Sequence, residues 1–281
     1  MRHALGSAGT QASGVWAFLR DGAMSKQLHA GKAATNGLLA AYLACDGFTA
    51  AARILEGQAG LGAAMSEDAD VMRLVAGLET YPPHWKVLET SLTYHASCRH
   101  THPAADALLH IMRTRALAAS DLASVRVRTY RAAAEVLGSV GVPRTPHQAK
   151  CSLGTVLALI ALHGRAGVAD FDADMLRSPD VRALAERVTK EVDDAVDAAY
   201  PARWGAIVAV NTVDGQTFSA RIDEPKGDPG NPLTTQEVED KFRALVSFNG
   251  DLTPRDATTI IARVHALDRV DNLDDLCREV G

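Results

Sequence analysis

The sequence predicts a mainly α-helical protein with an α+β insert, and three features of its pattern support this fold class. Apolar residues follow the helical period early in the chain and again over residues 234–267. Between these regions, Ser124–Arg131 alternates apolar and polar side chains, which is typical of a strand with one wet face. Two further alternating segments flank Asp214-Gly215, which favours a tight hairpin turn.

The same changes of pattern predict the domain organisation. Residues 1–90 are expected to form the first part of a helical domain, and residues 91–226 the α+β insert. Residues 227–281 are expected to be C-terminal helices that return to the helical domain. Tyr81-Pro-Pro83 breaks the chain before the first boundary, and the Gly- and Asp-rich segment Pro225–Pro232 forms a linker at the second.

Local signals predict the individual elements. Residues 10–20 should form a helix with Val15, Trp16, Phe18 and Leu19 buried, and Val87–Thr93 should form a strand. Further helices are expected at residues 31–43, 49–55, 103–112 and 148–160, after Ser178-Pro179, and from the N-cap candidates Thr234 or Thr235 and Thr253.

Composition excludes several classes of protein. The chain has 281 residues, of which 47% are apolar and 22% charged, as in globular proteins. Its net charge of −5 provides no basic footprint for nucleic acid, and no apolar run is long enough for a membrane span. The four cysteines are far apart, with no C-x-x-C pair, which indicates free thiols in a reducing cytoplasm.

A basic stretch near the N-terminus is the first candidate site. Residues Ser25–Gly37 are predicted to form a loop that carries Lys26 and His29 and leads into a helix. A helix N-terminus directs unpaired N–H groups and partial positive charge outward, so Lys26, His29 and Lys32 would make an anion site there. We expect Lys32 to face outward and to contribute less. The alternative for each lysine is an ordinary solvated side chain.

The densest polar cluster, Arg99-His-Thr-His102-Pro103, is the second candidate site. Arg99 offers a planar fork that suits a carboxylate, and His102 lies where Pro103 would start a helix. His100 and His102, with His95 nearby, have zinc-like spacing, but no Cys pair or acidic ligand lies at a matching distance, and no metal is predicted. The remaining alternative is that these histidines cap the helix and fill the domain seam.

Two long segments resemble the signature of the MmgE/PrpD family, whose members act on small polycarboxylic acids. The resemblance rests on Gln11-Ala-Ser-Gly14 and on Asp21-Gly-Ala-Met-Ser-Lys-Gln-Leu-His-Ala-Gly-Lys-Ala-Ala34. The cluster at Arg99–Pro103 and the segment Gln148-Ala-Lys150-Cys-Ser152-Leu also resemble family motifs. Taken alone, Lys150 suits a solvated lysine and Ser152 a helix N-cap.

The resemblance implies a fold, a site and a chemistry. It implies a helical domain, an α+β lid and a homodimer, with a polycarboxylate bound at the seam and no cofactor. The implied catalytic residues are Lys26, His29 and His102, and the implied substrate-binding residues are Arg99, His100, Lys150 and Ser152. Cations among them would clamp a di- or tricarboxylate while a histidine moves a proton, as in a 2-methylcitrate dehydratase-like lyase or an isomerase. The alternative is a non-catalytic chain that binds carboxylates and needs a separate N-terminal half.

Several departures from the family motifs bear on the reaction. His100 replaces a Tyr, and Cys151 replaces a Phe. The cis-aconitate decarboxylase branch of the family carries Lys, His and Tyr where this chain has Thr93, Cys98 and Thr155. These replacements argue against decarboxylation of cis-aconitate.

Overall fold

The protein is described by a computed structural model that covers residues 1–18, 23–77, 80, 85–137 and 142–270. The chain divides into two compact units, Met1–Lys86 and a second unit that begins at Val87. The described residues are mainly helical with one small mixed sheet, as the sequence predicted. The lid arrangement and the return of residues 227–281 to the first domain remain predictions.

The first unit consists of helices and turns. Its described residues contain the helices α1 (Arg2–Thr10), α2 (Ser25–Cys45) and α3 (Leu61–Met65), with a 3-10 helix at Val71–Leu74. Helix α1 packs against α2 and also against residues 50–54. A Cβ atom on Gly6 would lie 2.5 Å from the Ala51 carbonyl oxygen, so only a glycine allows this approach of the two segments.

The predicted helix over residues 10–20 is wrong. Helix α1 ends at Thr10, and Gly14 has a φ of +145°, which no α-helix contains. The side chains of Val15 and Trp16 are exposed, whereas Phe18 is buried as expected. Leu19 and the turn signal Asp21-Gly22 lie outside the described residues, as does Tyr81-Pro-Pro83.

Three other expectations near the N-terminus are also wrong. Helix α2 already begins at Ser25, so Lys26 and His29 lie in a helix and not in a loop. The alanines and leucines of this region favour helix strongly enough to extend it over the polar start. Residues 52–56 form turns in place of the expected helix. Residues 86–89 form a 3-10 helix in place of the expected strand, because no neighbouring strand pairs with them in the described sheet.

The second unit contains a four-stranded mixed sheet. Its strands are β1 (Leu122–Thr129), β2 (Val188–Val192), β3 (Ala206–Thr212) and β4 (Thr217–Ile222). The order is β2-β1-β3-β4, with β1 parallel to β2 and the other pairs antiparallel. The predicted β3–β4 hairpin is confirmed, and Gly215 supplies its positive φ of +85°.

Helices cover the core-facing side of the sheet. They are α4 (His102–Arg115), α5 (Arg131–Val136), α6 (Pro146–Lys150), α7 (Leu153–His163), α8 (Ala173–Arg177), α9 (Pro179–Ala185) and α10 (Asp194–Ala199). Helix α4 packs on β3, β4 and α7. Leu108 of α4, Leu157 of α7 and Val208 of β3 are almost completely buried in one hydrophobic core. Val125 and Val127 of β1 belong to the same core.

The last two helices, α11 (Thr235–Asn249) and α12 (Pro254–His265), pack against each other. Thr234 and Thr253 cap them through reciprocal capping boxes, which confirms the two predicted caps. No single helix in the described part of the chain is long and apolar enough to cross a membrane. Helix α7 and the stretch Val168–Arg177 are long and apolar enough when taken together, but they are bent by 110° relative to each other.

Candidate active site

The cluster at Arg99–Pro103 lies at the start of a helix, as predicted. Residues Arg99–Thr101 form a 3-10 helix that leads directly into α4, and Pro103 occupies its first turn. The backbone N–H of Cys98 donates to the Lys150 carbonyl oxygen at 2.7 Å. The structure therefore brings the motif around Arg99 next to the motif that contains Lys150.

The guanidinium group of Arg99 already contacts other residues of the protein. One terminal nitrogen, Nη2, donates to Oδ1 of Asp228, and the guanidinium carbon lies 5.3 Å from the ring centroid of Trp204. The other terminal nitrogen, Nη1, is buried and has no hydrogen-bond partner among the described residues. The fork predicted to receive a substrate carboxylate is thus already paired with an internal carboxylate.

His100 belongs to an aromatic cluster. It stacks on Trp204 with ring centroids 5.0 Å apart, and its Nδ1 lies 2.6 Å from the hydroxyl oxygen of Tyr130. Tyr130 in turn stacks on Tyr200 at 4.4 Å. Burial raises the pKa of Tyr130 well above its ordinary value, and the nearby Tyr200 adds to this shift. The phenol therefore keeps its proton and can donate it to the imidazole.

A polar cavity of about 650 Å³ opens beside this cluster. Two arginines, Arg99 and Arg203, line it together with Trp204. Three acidic residues also line it, namely Glu89, Glu224 and Asp228. The cavity is large enough for a small polycarboxylic acid, and its wall contains both the cations and the carboxylates that would discriminate between charged ligands.

His102 is completely buried and neutral. Its Nε2 donates to the Ser97 carbonyl oxygen at 3.3 Å, while Nδ1 has no hydrogen-bond partner among the described residues. The pKa of His102 is lowered to about 4, chiefly by burial and also by the neighbouring His95. His102 can hold the start of α4 in this state, while its predicted catalytic role remains untested.

His95 belongs to a second buried network. Its Nε2 lies 2.9 Å from Oδ1 of Asp106, whose Oδ2 accepts the backbone N–H of Lys226 at 2.7 Å. The rings of His95 and His102 meet edge to face at 5.1 Å. In the described part of the chain, no group of three His, Cys, Asp or Glu residues is placed to hold a metal ion.

Ser152 acts as a helix cap in this structure. Its Oγ accepts the backbone N–H of Thr155 at 3.3 Å at the start of α7. This cap separates α6 from α7, where the sequence predicted one continuous helix. Lys150 lies at the end of α6 with its ammonium nitrogen 5.7 Å from the Phe171 ring centroid. Neither observation tests the predicted substrate contacts of Lys150 and Ser152.

The candidate residues of the first unit lie along α2. Lys26 is exposed in its first turn, and His29 packs edge to face on Phe18 at 5.4 Å. A small cavity of about 230 Å³ is lined by His29, Lys32 and Asn36 among others, and Lys26 is not among its described lining residues. Lys32 is exposed, as expected, and its smaller contribution to binding remains a prediction.

Sequence reasoning missed most residues of the larger cavity, including Arg203, Trp204 and Asp228. Arg203 and Trp204 follow Tyr200-Pro201, and their only local signal was an aromatic and a basic residue beside a turn. Asp228 lies in a segment that was interpreted only as a linker. Its contact with Arg99 joins residues far apart in the chain, so no spacing rule could have found it.

The fold and the cavity define a mainly helical protein with a small mixed sheet and a polar pocket lined by arginines and carboxylates. The chain matches the model of the MmgE/PrpD C-terminal domain over residues 95–267 and that of the MmgE/PrpD N-terminal domain over residues 1–73. The first match alone covers more than half of the sequence. The chain therefore belongs to the MmgE/PrpD family, as the sequence motifs indicated.

Curated relatives share one name. The chain is 28% identical to cis-aconitate decarboxylase of Homo sapiens over 229 residues, which are 79% of this chain and 46% of the relative. It is 25% identical to the Mus musculus protein of that name over 260 residues, covering 89% and 50%. The Aspergillus terreus (strain NIH 2624 / FGSC A1156) protein is 26% identical over 261 residues, covering 87% and 52%. The chain thus spans about half the length of the curated relatives it matches.

Proposed function

We propose that this chain acts as an MmgE/PrpD-type lyase or isomerase on a small di- or tricarboxylic acid. The observation that carries the proposal is that Arg99, the first residue of the family motif at Arg99–Pro103, lines a polar cavity together with Arg203. Family membership and relatives named for the decarboxylation of a tricarboxylic acid support the same substrate class.

The chemistry follows from where charge develops. Removal of a proton next to a carboxylate, or loss of CO₂ beside one, builds negative charge on carbon and on carboxylate oxygens. Cations held in place before the reaction stabilise that charge, and such electrostatic effects are often the largest contribution to catalysis. The family motifs suggest Lys26, Arg99 and Lys150 as such cations and His29 and His102 as proton-transfer groups, although Arg99 is already paired with Asp228.

The choice among substrates rests on the departures from the family motifs. Thr93, Cys98 and Thr155 replace the Lys, His and Tyr expected of a cis-aconitate decarboxylase. None of these three side chains can supply the charge or the ring of the residue it replaces. We therefore favour a 2-methylcitrate dehydratase-like elimination over decarboxylation.

A proton-exchange experiment tests this proposal. The chain is incubated in D₂O with 2-methylcitrate, citrate or cis-aconitate, and proton NMR follows both product signals and loss of the substrate C–H signals. Exchange or elimination with 2-methylcitrate is the expected result. Binding detected by calorimetry without any exchange would favour the alternative of a carboxylate-binding chain without turnover. Formation of a decarboxylated product from cis-aconitate would show that the replaced residues are dispensable.

Lys26 allows a sharper test of the N-terminal candidate site. We expect Lys26→Met to weaken citrate binding by roughly 2–4 kcal/mol, because it removes one charge-assisted contact and keeps the aliphatic stem. Lys32→Met is the matched control on the same helix, for which we expect a smaller loss. Calorimetric titration of both variants and the parent measures the difference. Since Lys32 lines the cavity beside His29, a larger loss at Lys32 would move the site to that cavity.

We also propose that the chain forms a homodimer. Leu28 and Tyr42 of α2 are both more than half exposed, and association would remove such surface from water. Sedimentation velocity at high protein concentration measures the state directly. A single monomeric species would contradict the proposal.

A further inference from the structure

The charges around the 650 Å³ cavity are unequally available to a ligand. Arg99 and Arg203 both line it, together with the acidic residues Glu89, Glu224 and Asp228. Asp228 is bound to Arg99, and that pair is mostly buried, with 21% of the arginine side chain and 10% of the aspartate side chain exposed. The positive charge of Arg99 is therefore balanced before any ligand arrives.

The guanidinium group of Arg99 is also enclosed. Nη2 is occupied by Asp228, Nη1 is inaccessible to solvent, and Trp204 lies beside the guanidinium plane. A ligand carboxylate could reach Arg99 only by displacing Asp228 from it. That exchange would leave a carboxylate that is mostly buried without its cation, which is unfavourable.

The loop that carries Asp228 is held firmly. The backbone N–H of Asp228 donates to the Pro225 carbonyl oxygen at 3.1 Å, and the N–H of Asn231 donates to the carbonyl oxygen of Asp228 at 2.9 Å. Gly227 is tied to the same turn through the Asn231 carbonyl oxygen at 2.9 Å. These bonds fix Asp228 where it faces Arg99, so the ion pair is a stable part of the cavity wall.

Arg203 contrasts with Arg99. Its side chain is exposed, and no ion pair or side-chain hydrogen bond joins it to another residue in the described part of the chain. Its backbone is nevertheless fixed, because its N–H donates to the Ala199 carbonyl oxygen at 2.9 Å and the next residue, Trp204, stacks on His100. An anchored backbone with an open guanidinium fork is well suited to bidentate binding of a carboxylate.

We propose that Arg203 is the residue that binds a ligand carboxylate in this cavity, whereas Arg99 is a positioning residue that holds Asp228 and Trp204 in place. The inference rests on the proposed function for its ligand class, a small di- or tricarboxylic acid. It changes the assignment of the cation, since sequence motifs alone had pointed to Arg99. It also places the specificity of the cavity on a residue outside every motif identified from the sequence.

Calorimetric titration of citrate into the full chain and its variants tests the inference. We expect Arg203→Gln to weaken binding about 10- to 100-fold, as for loss of a charge-assisted bidentate contact. Arg203→Lys keeps the charge without the fork and should give an intermediate loss. Arg113→Gln changes an exposed arginine near the far end of α4 and should alter the dissociation constant less than twofold. Circular dichroism and thermal unfolding of each variant show whether it is folded.

The outcomes separate the inference from the proposed function. If the parent binds citrate and the folded Arg203→Gln variant binds equally well, the inference is wrong while the polycarboxylate proposal stands. If Arg99→Gln abolishes binding and Arg203→Gln does not, Arg99 is the carboxylate-binding residue. If the parent binds none of citrate, 2-methylcitrate and cis-aconitate, the proposed function fails first and the inference fails with it.

Discussion

The helices of the two units are stabilised by different interactions. In the second unit, helices α4 and α7 bury their apolar faces against the sheet in a continuous core. Among the described apolar residues of the first unit, only Phe18 and Ala40 are buried, and Ala40 is the one buried residue of the 21-residue helix α2. Helix α2 thus owes its form more to intrinsic propensity than to burial. The stability of the chain is therefore expected to reside mainly in the second unit.

Two leucines, one in a helix of each unit, test this contrast through the largest predicted change in stability. Leu108 of α4 is 0% exposed and Leu38 of α2 is 63% exposed. We expect Leu108→Ala to lower the free energy of unfolding by about 2–5 kcal/mol, through lost burial and a new cavity. Leu38→Ala should change it by less than about 0.5 kcal/mol. Urea denaturation of both variants gives the values, and equal losses would refute the contrast between the units.

The buried His102 predicts how the second unit responds to acid. Its pKa is about 4 in the folded protein, below the ordinary 6.5 of an unfolded chain, so the unfolded state binds the proton first. The stabilising contribution is complete above pH 6.5 and is lost as the pH falls towards 4, by roughly 3 kcal/mol in total. Burial is the largest cause of this low pKa; His95 and Arg99 also lower it, whereas Ser97 and Asp106 raise it.

Denaturation curves between pH 4 and 7 measure this loss. His102→Gln keeps an amide donor for the Ser97 carbonyl oxygen and does not titrate, so its free energy of unfolding should vary less with pH in that range. A variant with the same pH dependence as the parent would show that another group controls the acid response. A catalytic role of His102 would appear separately, as lost proton exchange in the substrate assay.

Replacing helix N-cap residues should change the stability of the protein least. Helix α7 has the side-chain cap Ser152, whereas the N-cap residue of α2, Met24, makes no such bond. We expect Ser152→Ala to cost about 1 kcal/mol and Ser152→Gly only a few tenths, while Met24→Ala should have almost no effect. Thermal unfolding measures all three. Citrate titration of Ser152→Ala adds a second readout, since a cap alone should leave affinity unchanged.

Sequence reasoning succeeded where a signal is local. The Asp214-Gly215 turn and the caps Thr234 and Thr253 each depend on a few adjacent residues, and all are confirmed. Strand β2 was missed because Val188–Val192 is half polar and becomes a strand only through parallel pairing with β1. Such pairing depends on residues far away in the chain.

The candidate site shows the same division. The start of α4 at the Arg99–Pro103 motif followed from Pro103 and the apolar face behind it. The pairing of Arg99 with Asp228 could not be predicted, because the two residues are 129 positions apart and meet only in the folded protein. The start of α2 was misplaced because Lys26 and His29 are as compatible with a first helical turn as with a loop.

The contact between Leu92 and Gly227 has a consequence for protein engineering of this chain. The backbone N–H of Leu92 donates to the Gly227 carbonyl oxygen at 2.8 Å, and a Cβ atom on Gly227 would lie only 2.0 Å from the Leu92 carbonyl oxygen. The two ends of the segment between Leu92 and Gly227 therefore lie next to each other. Segments with adjoining ends tolerate excision, circular permutation and transfer into a host loop, because a short linker can rejoin the chain without stretching it.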